Sequence, residues 1–146
     1  MKLRGGQVVD RFQTLINPER RIPRMITSLT GISDVMVADA PVFAEVAESF
    51  REFVGGAVLV AHNAKFDYGF LRQEFRRLGQ EFRCPTLCTV VAMRKYFPGL
   101  ESYKLSRLCA EFGISLEQHH RAMCDAEATV ELLRMVNGKR LGDGVG

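Results

Sequence analysis

Tryptophan is absent from these 146 residues, and only three histidines are present, so each imidazole deserves its own account. No apolar run approaches the length of a membrane span, and the opening Met1-Lys2-Leu3-Arg4-Gly5-Gly6 has no apolar signal-like core. The four cysteines, Cys84, Cys88, Cys109 and Cys124, lack both a disulfide-framework spacing and a C-x-x-C pair. They read as reduced thiols of a cytoplasmic protein, and a zinc site from Cys84, Cys88, His119 and Cys124 has no spacing to support it. Strong charge of either sign is missing too. The net +3 permits a polyanionic partner without demanding one, and Arg20-Arg21, Arg76-Arg77, Arg94-Lys95 and Lys139-Arg140 are the basic clusters. There is no internal repeat, low-complexity segment or linker. Hydrophobic residues make up 47%, enough to fill the core of one domain. The expected organisation is that domain over 1–137 and a disordered tail over 138–146.

The chain opens as a hairpin. Lys2-Leu3-Arg4 meets the turn Gly5-Gly6, and an alternating strand follows from Gln7 to Ile16. Short helical turns are expected over 22–36, broken at Thr30-Gly31-Ile32, with Ser33 as an N-cap. Pro41 opens an amphipathic helix whose Phe43, Val46, Ala47, Phe50 and Phe53 share one face. Ala57–Ala61 is a continuous apolar run, expected to be a strand buried on both faces. The next helix would bury Phe66, Phe70, Leu71, Phe75 and Leu78. A short strand over 84–88 and a helix over 89–97 come next. A helix capped by Ser102 and a last helix over 125–136 complete the pattern. Strands alternating with helices after a hairpin predict an α/β fold with a mixed sheet flanked by helices, its active crevice at the carboxyl ends of the strands.

The chemistry concentrates in two stretches. In the first, His62-Asn63-Ala64-Lys65-Phe66-Asp67 follows the buried strand, which places Asp67 where a catalytic carboxylate belongs. In the second, His120 lies five residues before Asp125. Five helical residues turn through about 140°, so the two side chains converge only if Asp125 is on a first helical turn and His120 on the loop before it. Carboxylates with a nearby imidazole suit hard divalent cations and a general base. Taken singly, each feature also fits polar capping of a helix start. The ordered pair H-N-A-x-F-D and H-x-A-x-x-D is far more specific.

Together these stretches resemble the second and third motifs of the DEDDh 3′–5′ exonucleases, the family of the proofreading (epsilon) subunit of bacterial DNA polymerase III. Leu29-Thr30-Gly31-Ile32 is similar to the family segment that packs against the terminal 3′ nucleotide. The resemblance covers about Lys2 to Val136. It implies a ribonuclease-H-like fold, single-stranded or frayed DNA ends (or RNA) as substrate, and a DNA polymerase catalytic subunit as partner. It further implies two Mg²⁺ or Mn²⁺ ions held in part by Asp67 and Asp125, with His120 as general base. Leu29, Thr30, His62 and Asn63 would contact substrate. Phe66 is expected in the core and His119 on the surface.

One family feature has no counterpart. The first motif, a strand bearing Asp-x-Glu followed by Thr and Gly, matches nothing here, and the first acidic residue is Asp10. The sheet is therefore expected to lack its first, central strand, and the site two of four metal carboxylates. The chain as written is then expected to be N-terminally truncated, poorly stable and impaired. A non-catalytic nucleic-acid-binding or polymerase-associated module is the alternative from another class.

Overall fold

The hairpin is present as the glycines dictate. In the computed structural model, which describes residues 1–116 and 122–145, β1 (Lys2–Arg4) and β2 (Gln7–Asp10) pair antiparallel. Gly5 and Gly6 both take positive φ, +59° and +80°, the geometry that two-residue hairpin turns need. The strand stops at Asp10, short of the alternation's end at Ile16, where the Asp10 carboxylate accepts from the Arg11 N–H at 2.8 Å. Helix α1 (Arg24–Thr30) ends on Gly31 in the left-handed region, and α2 (Asp34–Val37) starts with the Ser33 hydroxyl accepting from the Met36 N–H. Helix α3 (Phe43–Val54) begins with its Val42 N–H donating to the Glu45 carboxylate.

A parallel pair forms the second sheet. Strand β3 (Leu59–Ala61) lies beside β4 (Thr86–Cys88), joined through helix α4 (Ala64–Arg77) as a parallel connection requires. Helices α5 (Thr89–Tyr96), α6 (Leu105–Phe112) and α7 (Ala122–Val145) follow. Antiparallel and parallel pairings of the expected α/β architecture are thus both present, each as a two-stranded sheet among the described residues.

The chain divides into two compact units: Met1–Ala57 with Leu71–Arg83, and Val58–Phe70 with Cys84–Gly146. The core of the first is aromatic. Phe75 is fully buried, stacked on Phe82 with ring centroids 4.8 Å apart and edge-on to Phe43 at 5.1 Å. The Arg51 guanidinium covers the Phe75 ring at 4.7 Å and donates to the Glu81 carbonyl. Phe12 joins this group against Phe50 and Phe53. In the second unit Met93, Leu108, Leu132 and Val136 form the buried centre, ringed by Tyr96, Phe97, Tyr103 and Phe112.

Four expectations need correction. Phe66 and Phe70 are 69% and 54% exposed rather than core, because the 3.6-residue period marks a helix face without saying what lies opposite it. Val58 is likewise exposed and β3 only partly buried, since β4 is its one ladder partner among the described residues. Ser102 does not cap α6: Lys104 is the N-cap, and the Ser102 hydroxyl accepts from the Lys104 N–H in the turn before it. Finally, α7 continues to Val145 past the expected stop near Val136. No proline interrupts it, and glycines at 138, 142 and 144 weaken a helix by only about 1 kcal/mol each.

Candidate active site

The parallel register builds the site. Ala61 is paired with Cys88, so the residues that follow each strand, His62 and Thr89, emerge side by side at the carboxyl edge of the β3–β4 pair. Asn63 then turns the chain with φ of +77°, a conformation that asparagine tolerates better than most side chains. Its carbonyl accepts from the Phe66 N–H at 3.1 Å and α4 is under way, with Asp67 on the first turn. Cys88 closes the same turn from the other strand. Burial by itself would push its thiol up, but the backbone N–H groups of Val91, Ala64, Asn63 and Val90 outweigh this and hold it below the ordinary cysteine value.

Asp67 keeps contact with solvent, yet the surrounding protein desolvates its carboxyl enough to raise its pKa, its own backbone N–H opposing this in part. Among the described residues it has no ion-pair partner. An uncompensated, partly desolvated carboxylate at a strand's carboxyl edge is a good oxygen donor for a divalent cation, which would provide the missing positive charge. Asp125 stands on the first turn of α7, and α7 packs against β3. Its charge reaches Cys109 on α6, whose thiol is pushed up first by burial and then by Asp125. The two aspartates thus belong to one unit. Among the described residues no group of three or more His, Cys, Asp or Glu side chains is arranged to hold a metal ion. His119 and His120 lie outside the described residues.

The remaining site residues divide. Leu29 is half exposed at the end of α1. The Thr30 hydroxyl is used internally, donating to the Ile26 carbonyl at 2.8 Å and accepting from the Ile32 N–H at 3.1 Å. It shapes the turn after α1. Leu29 and Thr30 belong to the first unit, Asp67 and Asp125 to the second. Asn63 is exposed in the turn that leads into α4.

His62, expected to touch substrate, has neither ring nitrogen to spare. Nε2 lies 2.6 Å from the Tyr103 carbonyl oxygen and Nδ1 2.8 Å from the hydroxyl of Thr89, itself fully buried. A carbonyl only accepts, so Nε2 carries the proton. In the neutral ring Nδ1 is then bare and accepts the Thr89 hydroxyl proton, for which the Ala61 carbonyl at 3.4 Å is the longer competitor. Burial lowers the pKa of this imidazole, the Tyr103 carbonyl opposing it to a lesser degree. Thr89 and Tyr103 were invisible as site residues in the sequence, since a threonine opening a helix and a loop carbonyl carry no chemical signature.

The profile of the exonuclease family RNase_T matches residues 1–133. Among curated proteins, the chain is 45% identical over 134 residues to the DNA polymerase III PolC-type of Clostridium perfringens, covering 92% of this chain and 9% of that protein. It is 43% identical over 128 residues to the 3′-5′ exonuclease DinG of Bacillus subtilis, with 87% and 14% covered. To the DNA polymerase III subunit epsilon of Aquifex aeolicus it is 38% identical over 133 residues, with 90% and 66% covered. The chain therefore spans about a tenth of the length of the PolC-type relatives. Among solved structures, exonuclease X in complex with 5′ overhanging duplex DNA superposes with a TM-score of 0.73 at 28% identity, covering 92% of this chain and 77% of that one. That likeness supports the ribonuclease-H-like α/β fold. With the family profile matching nearly its whole length, the chain belongs to the RNase_T exonuclease family.

Proposed function

We propose that this chain is the exonuclease domain of a metal-dependent 3′–5′ exonuclease that removes nucleotides from the 3′ end of single-stranded or frayed DNA, as in polymerase proofreading. The observation that carries the reading is Asp67, a partly desolvated carboxylate without a cationic partner among the described residues, at the carboxyl edge of β3 on an exonuclease-family fold. Asp67 and Asp125 are the residues that would hold the divalent cations, Mg²⁺ or Mn²⁺, the pair of ions implied by the family resemblance. Such ions activate a water and stabilise the leaving oxygen in phosphodiester hydrolysis. His120, which precedes Asp125 in the H-x-A-x-x-D motif, takes the proton from the attacking water. Leu29, at the exposed end of α1, packs against the terminal 3′ nucleotide, and Thr30 holds that loop in shape. Asn63 completes the substrate-facing edge beside Asp67. Relatives named as DNA polymerase III proteins support a polymerase catalytic subunit as partner.

The test is trimming of a 5′-labelled single-stranded oligonucleotide in Mg²⁺. The expected product is a ladder shortened from the 3′ end, formed slowly because the chain lacks the family's Asp-x-Glu carboxylates, and abolished by chelation and by Asp67→Ala or Asp125→Ala. His120→Ala should slow it by about 10²–10⁴-fold. Wild-type trimming in either aspartate variant would overturn the assignment. Salt-dependent binding that survives Asp125→Ala and chelation, with no trimming by the unmodified chain, would point instead to a non-catalytic binding module.

A further inference from the structure

The His62 contacts tie together segments that are far apart in the chain. His62 is the residue after β3 and leads into the turn that carries Asp67. Thr89 opens α5, and Tyr103 lies in the loop before α6. Each partner is itself fixed. Thr89 is fully buried, and its hydroxyl also stands 3.4 Å from the Ala61 carbonyl. The Tyr103 hydroxyl donates to the Phe97 carbonyl at 2.8 Å and accepts from the Leu100 N–H, and the Arg94 guanidinium lies over its ring at 5.5 Å. Tyr103 packs on the Met93–Leu108–Leu132–Val136 core, in which Leu132 and Val136 come from α7. Helix α7 carries Asp125, and α6 packs against it.

We infer that His62 is a positioning residue: a neutral imidazole, protonated on Nε2, that braces the Asp67-bearing turn against the Tyr103 loop and thereby against the framework holding Asp125. A flexible turn would leave Asp67 free to drift relative to α7. Two short hydrogen bonds, one to the buried Thr89 and one to the carbonyl of the half-buried Tyr103, hold it still. The ring does this by reaching in opposite directions at once, which a linear amide cannot do. Glutamine places its amide near Nε2 and can keep the Tyr103 bond. Asparagine reaches only as far as Nδ1 and loses it.

The first test needs no activity. Nitrogen-15 spectra of the histidine ring in the unmodified chain at pH 7 should show His62 protonated on Nε2, bare on Nδ1, and slow to exchange with solvent. The opposite tautomer, or fast exchange, overturns the inference. The second test rests on the function proposed above. His62→Asn should lower kcat for oligonucleotide trimming by about 10²-fold, the scale of a displaced catalytic group, with little change in KM. His62→Gln should recover most of that loss. A raised KM with unchanged kcat would mean that His62 touches substrate, and the inference fails. If the unmodified chain trims nothing in Mg²⁺, the proposed function fails, and the ring spectra still decide the role of His62.

Discussion

Thr89→Val is the sharpest perturbation of this site, because it removes one hydroxyl and almost no volume. Thr89 has no exposed surface, and its hydroxyl lies 2.8 Å from His62 Nδ1, to which it donates in the neutral ring inferred above. Valine keeps the shape and has a similar helix propensity at the start of α5. What it leaves behind is a bare acceptor on a partly buried imidazole, a loss of about 1–3 kcal/mol. For a chain of this size that corresponds to a melting temperature lower by roughly 3–10 °C. Thr89→Ser is the control. It keeps the hydroxyl and deletes a buried methyl, at about 0.5–1.5 kcal/mol, so the two variants can be similar in stability yet differ in the His62 bond. Stability would be read by urea denaturation followed by circular dichroism, and trimming by the oligonucleotide assay. Serine should retain the kcat of the unmodified protein while valine lowers it. If valine matches the unmodified protein in both stability and rate, the hydroxyl does no work at the site and the bracing argument collapses.

Two further outcomes are expected. Phe75→Ala removes a fully buried ring stacked on Phe82 and covered by Arg51, and should cost about 3–5 kcal/mol. A loss below about 1 kcal/mol in a denaturant titration would show that the aromatic cluster is not a packed core. Acid should weaken the fold through His62. Its folded pKa is depressed below 6.5 by burial, so the unfolded chain binds the proton first, and stability held above 6.5 is lost as pH falls through the folded value. Asp67 acts in the opposite sense: its pKa is raised, so its contribution is greatest below 3.8 and is lost as pH rises through the folded value. Denaturation at pH 7.5 and 5.5 should show the His62 decline, and His62→Gln should remove it. An unchanged slope in that variant would assign the decline to another group.

Local chemistry determined much of this protein on its own. Gly5-Gly6 dictated the hairpin turn, Gly31 the end of α1, Ser33 the start of α2, and the Phe43–Phe53 stripe the buried face of α3, because each depends on backbone strain or on a period within one element. Asp125 was expected at the start of the last helix, and it stands on the first turn of α7. The pair of H-N-A-x-F-D and H-x-A-x-x-D was enough to place the chain in its family. Contacts between elements were not legible. The stripe of α4 reads the same at Phe66 and Phe75, yet one ring is mostly exposed and the other fully buried, since burial depends on what lies across from a helix. The role of His62 was decided in the same way. Only the register of β3 on β4 sets Thr89 beside it, and only the packing of the loop before α6 brings the Tyr103 carbonyl to its other nitrogen. A residue's chemistry is written in its side chain, but which atoms satisfy it is settled when distant segments of the chain pack together.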